Sequence, residues 1–115
     1  MGIAVEIAVT DPESAFAAQT GGADRVELFC NWFEGGTTPS TGMIAVVREN
    51  LAIDLHVMIR PRGGDFCYSE REFDVMKQDI AAAKDLGANG VVFGLINLEG
   101  EVDVERTREL VETAK

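Results

Sequence analysis

Short runs of β-branched and aliphatic residues alternate along the chain with longer stretches in which apolar positions recur every three or four residues. Four such pairs are present. The strand runs are Val5-Glu6-Ile7-Ala8-Val9, Arg25-Val26-Glu27-Leu28-Phe29, Leu55-His56-Val57-Met58-Ile59-Arg60 and Gly90-Val91-Val92-Phe93-Gly94. Each leads into helix-start chemistry: Asp11-Pro12-Glu13, Ser40, the capping-box spacing Ser69-Glu70-Arg71-Glu72, and Asp103. The third helix carries the clearest stripe. Phe73, Met76, Ile80 and Ala83 share one face and Glu72, Lys77, Gln78 and Lys84 lie elsewhere, which predicts packing on a sheet. Gly22-Ala23-Asp24-Arg25-Val26 and Gly87-Ala88-Asn89-Gly90-Val91 repeat one pattern, a glycine helix stop followed by a strand.

Parallel neighbours need crossover helices, so this alternation predicts an α/β fold with a parallel sheet, either curved into a barrel or open and doubly wound. The strand faces decide between them. Period-two alternation puts Glu6 with Ala8, Glu27 with Phe29, and His56 with Met58, Arg60 and Arg62 on common faces. The opposite faces, with Val5, Ile7, Val26, Leu28, Val57 and Ile59, are apolar and are expected to meet the helices. A polar inner face on which Glu6, Glu27 and Arg60 neutralise one another favours a barrel.

A chain of 115 residues with an apolar fraction of 46% holds one hydrophobic core, so residues 1–115 read as a single domain. The net charge of −10 repels phosphate backbones and anionic membranes, which argues against nucleic-acid and membrane partners. Met1-Gly2-Ile3 shows neither a cationic start nor a long apolar run, and Cys30 and Cys67 lack metal-finger spacing. Reduced thiols in a cytoplasmic protein are the expectation.

Three stretches carry a resemblance: Gly21-Gly22-Ala23-Asp24-Arg25-Val26-Glu27-Leu28, then Glu34-Gly35-Gly36-Thr37-Thr38-Pro39-Ser40, then Met58-Ile59-Arg60-Pro61-Arg62-Gly63-Gly64-Asp65-Phe66 with Tyr68-Ser69. Together they resemble the CutC family of copper homeostasis proteins, and the likeness runs on through Val91-Val92-Phe93-Gly94 to Asp103. The resemblance implies a (β/α)₈ barrel of which this chain is a (β/α)₄ N-terminal half. The later part of the family pattern, with a His-Arg pair and a following Phe-Asp, is absent. Family members discussed as copper binders are similar in carrying cysteines near the ends of the first two strands, where this chain has Ala8 and Phe29. Cys30 is one residue away, on the other face. Cu(I) needs several converging soft donors, and the inner face offers Met58. Copper therefore enters only through the resemblance, and no cofactor or metal ligand is assigned.

The strongest binding candidate is Arg60-Pro61-Arg62-Gly63-Gly64-Asp65, at the C-terminal end of a strand where barrels build their sites. Two readings stand beside each other. Arg60 and Arg62 clamp a small carboxylate or phosphate with Asp65 holding one arginine, or Arg60 pairs with Glu6 or Glu27 inside the barrel while Arg62 and Asp65 pin the loop. Glu6 and Glu27 occupy comparable positions on neighbouring strands, about 5 Å apart, and either share a proton for acid/base work or are neutralised by arginine. His56 faces the barrel base as a structural histidine, and Gly35–Ser40, leading into a helix N-terminus, reads either as an anion cradle or, the favoured reading, as loop and cap chemistry. Cys67 lies in a loop beside Tyr68 and carries little functional weight. Trp32 and Phe33 are expected at the rim, covering an interface.

Four parallel strands leave two open edges, so self-association into a homodimer that recreates eight strands is expected, from a truncated or engineered half-barrel. Three functions follow: a CutC-like copper-homeostasis or binding fragment without catalysis of its own, a barrel enzyme or remnant holding a small anion on Arg60 and Arg62, and a self-assembling scaffold.

Overall fold

The computed structural model describes residues 2–115; Met1, where the leader reading began, lies outside the described residues. Four strands, β1 (Glu6–Val9), β2 (Arg25–Leu28), β3 (Asp54–Met58) and β4 (Gly90–Val92), form one sheet in the order β1-β2-β3-β4, all parallel. Helices α1 (Pro12–Thr20), α2 (Thr41–Asn50), α3 (Glu70–Asp85) and α4 (Val104–Ala114) follow them in turn. A sheet whose strands keep chain order has no reversal point, which removes the doubly wound alternative.

The helix starts form as their side chains dictate. Asp11 accepts from the Ser14 amide at 2.7 Å ahead of Pro12, Ser40 Oγ from the Met43 amide at 3.1 Å, and Asp103 from the Arg106 amide at 3.1 Å. Ser69 and Glu72 exchange bonds of 3.1 and 2.8 Å in a complete capping box. Gly22 and Gly87 sit at φ of +97° and +94°, the left-handed turn that ends α1 and α3 and returns the chain to the sheet.

Val26, Leu28, Leu55, Val57 and Ile59 are buried in one cluster with Ala15, Ile44, Val47, Phe73, Met76, Ile80, Ala83 and Leu110 from the four helices. The helices therefore lie on one face of the sheet, and the other face is the polar one, as in a sector of a barrel. Two expectations fail here. Val5 and Ile7 remain 47% and 41% exposed, because β1 is an edge strand with α1 on one flank and nothing on the other. The connection after β2 also contains a 3₁₀ turn, Trp32–Glu34, which its glycines had masked.

The register fixes the inner face. Ala8, Glu27, His56 and Gly90 lie in one row across the sheet, and Glu6 sits opposite Arg25 one row and two residues lower. A Cβ at Gly90 would stand 2.7 Å from His56 Nε2, so the imidazole lies over a strand position that only glycine leaves open.

Candidate functional site

At the C-terminal ends of the strands, the loops after β2 and β3 are tied together by one side chain. Arg60 is 8% exposed, and its guanidinium donates to the Glu34, Gly36 and Gly64 carbonyl oxygens at 2.6, 2.8 and 2.8 Å. Its backbone amide donates to Thr38 Oγ1 at 2.8 Å, and it lies 4.8 Å from the Phe66 ring centroid. The expected neutralisation of Arg60 by Glu6 or Glu27 does not occur. Loop carbonyls, which must find donors once buried, take its protons instead. Gly36 at φ +101° and Gly63 make this possible, since a Cβ would strike Met58 Sδ at 2.8 Å and Glu34 Oε2 at 2.1 Å respectively.

Arg62 is committed as fully. It pairs with Glu72, bonds Asp65 Oδ1 at 3.2 Å, and donates to the Gly63, Asp65 and Cys67 carbonyls at 2.9–3.1 Å. Glu72 holds the Arg62 pKa above its ordinary value. The Cys67 amide and Arg62 hold the Asp65 carboxyl below its own, and the Ser69 amide and Arg62 do the same for Glu72. Thus Arg60, Arg62 and Asp65 converge, but as the frame of the β3–α3 loop.

Lower on the inner face, Glu6 Oε2 accepts from Arg25 Nε at 2.6 Å and stands 3.8 Å from His56 Nδ1. Glu6 and Glu27 are thus diagonal rather than level, with Ala8 opposite Glu27. Burial first, then the Glu6 carboxyl, raises the Glu27 pKa above the ordinary glutamate value. Among the described residues no Lys, Arg or His forms an ion pair with Glu27, because Arg25 and His56 both turn to Glu6.

Glu27 opens instead onto a cleft of about 300 Å³ with Ala8, Phe29, Trp32, Gly35 and Met58. Gly35 and Met58 also border a second hollow of about 260 Å³ that reaches Arg60, Phe66 and Phe93. Trp32 stacks on Phe29 at 5.6 Å yet is 64% exposed, and Phe33 is fully exposed, so the rim placement holds. A larger cavity, about 550 Å³, lies away from this chemistry, between the uncovered outer flank of β1 and Ala17, Ala18 and Gly21 of α1 and the turn after it.

The donor set does not fit Cu(I). Cys30 Sγ lies 3.3 Å from Thr37 Oγ1 and 3.2 Å from the Thr38 carbonyl oxygen, and among the described residues no three His, Cys, Asp or Glu converge. Both cysteines are unpaired.

The model of the CutC family matches residues 3–115. The chain belongs to the CutC family. A CutC family protein of Chromobacterium violaceum is 54% identical over 96% of the chain, and the human copper homeostasis protein cutC homolog is 51% identical over 96%. The chain spans 44% and 40% of those two relatives' lengths. A CutC crystal structure from Streptococcus agalactiae superposes with a TM-score of 0.91 at 32% identity, covering 98% of this chain and 55% of that one. The fold is the (β/α)₄ part of that family's architecture.

The residues that sequence reasoning missed mostly act through this frame. Arg25 was legible, since it shares the period-two face of Glu27. Glu72 was assigned to the capping box alone, although its carboxylate serves both the Ser69 amide and Arg62. Phe66 and Tyr68, which lie against the Arg60 and Arg62 guanidiniums, belong to the stretch that carries the family resemblance, but nothing in the sequence gave them this role.

Proposed function

We propose that this chain is a binding module of the copper-homeostasis family, without catalysis of its own, that works in the cytoplasm and closes its barrel by pairing with a second copy. The observation that carries this reading is the pair of unpartnered sheet edges, β1 and β4, flanking a concave polar face. Unpaired edge amides and the exposed Val5 and Ile7 are surface that a second set of four strands and helices covers. Copper ligation by this half is not part of the reading, given its donors.

A small-anion site on Arg60 and Arg62 has one observation in its favour: Arg60 Nε is buried with no hydrogen-bond partner. Against it, nearly all the remaining donors of Arg60 and all those of Arg62 already hold loop carbonyls and carboxylates.

Sedimentation velocity at micromolar concentration tests the pairing. A dimer is expected, and Ile7→Lys, at an exposed position that the single copy tolerates, weakens it by about tenfold or more. A monomer at all concentrations, or a dimer indifferent to Ile7→Lys, overturns the reading.

A further inference from the structure

We infer that the mouth cleft beside β2 binds small organic ammonium ions, with the Glu27 carboxylate as counter-ion and the stacked Phe29–Trp32 pair as the apolar wall. Every residue that lines the cleft comes from one copy.

The inward-facing charged groups around Glu27 have partners, with Glu6 on Arg25, Arg62 on Glu72 and Asp65, and Arg60 on three carbonyls, while Glu34 in the loop after β2 is exposed to water. Glu27 is half-buried, and Glu6 beside it adds repulsion. A carboxylate drawn out of water without a cation is costly, and the cost is removed by a ligand that brings one.

The remaining walls narrow the chemistry. Phe29, Trp32 and Met58 are apolar and polarisable, and an aromatic face beside a carboxylate is the combination that favours an alkylammonium over a hydrated metal ion. A volume of about 300 Å³ admits a ligand of several carbons. Trp32 is held in place by Phe29 although mostly exposed, so the wall exists before the ligand arrives. The net charge of −10 draws cations toward the mouth and repels anions.

Cyclohexylammonium, titrated into the 115-residue chain, tests this by calorimetry and by the emission of Trp32, the sole tryptophan. Saturable binding with a shifted emission is expected, with cyclohexanol roughly tenfold weaker or worse and Glu27→Gln losing roughly tenfold. Affinity falls as pH drops through the raised Glu27 pKa, because the protonated carboxyl is no counter-ion. Glu6 on β1, Arg25 on β2 and His56 on β3 face the same region, and loss of the pH dependence in Glu27→Gln assigns it to Glu27. Trp32→Leu, at an exposed position, leaves the fold intact and lowers the calorimetric affinity several-fold, which carries the test even where Glu27→Gln does not fold. Equal binding of cyclohexanol, tighter binding of inorganic phosphate, an affinity that Trp32→Leu leaves unchanged, or no saturable signal overturns the proposal.

Discussion

Arg60 shows how a residue chosen correctly can be given the wrong partner. Its place at the end of a strand and its inward face follow from period-two alternation, and the structure keeps both. Its protons go to the buried Gly36 carbonyl and the part-buried Glu34 and Gly64 carbonyls, for which the loops supply no other donor. Nothing in a sequence marks a backbone carbonyl as needy, whereas Glu6 and Glu27 advertise their charge. Lysine carries the same charge without the planar fork and cannot span three acceptors. Arg60→Lys is therefore expected to lower the stability by about 3 kcal/mol in urea unfolding, with the charged guanidinium's bonds to the carbonyls contributing most of it. A loss below about 0.5 kcal/mol, the range of ordinary surface substitutions, would show that the loops hold without it.

Among the elements, the strands and helices were legible because several local signals agreed for each: apolar period, cap and glycine stop. All four predicted helix starts are used as read, and the stripe Phe73, Met76, Ile80 and Ala83 is buried. Where one signal stood alone the reading failed. Glycines around Trp32 suggested only a loop, although a 3₁₀ turn needs just three residues and a closing Gly35 at φ +84°. Val5 and Ile7 had the right alternation but the wrong cover, because a pattern reports which face is apolar and not whether another element lies over it. At this scale the capping box is the sharpest test. Ser69→Ala removes the acceptor for the Glu72 amide at the start of the helix that Arg62 braces, and is expected to cost about 1 kcal/mol in thermal or chemical unfolding. An unchanged midpoint would mean that the Arg62–Glu72 pair alone fixes the turn.

As a whole, the molecule is slightly more open than its length requires. Its Cα radius of gyration is 14.3 Å, against about 13 Å for a compact domain of this size. Open edges and a concave inner face account for the difference. Half of the interior is present: a base of Glu6, Arg25 and His56, a frame of Arg60 and Arg62, and a cleft at Glu27. The candidate chemistry was legible as a set of residues but not as a set of pairs, because pairing depends on register, which a sequence does not print. Small-angle X-ray scattering over a concentration series tests closure by a second copy most directly. Closure predicts a radius of gyration of roughly 17 Å for two copies in one compact ring; a value that stays near the single-copy 14.3 Å at every concentration would contradict it.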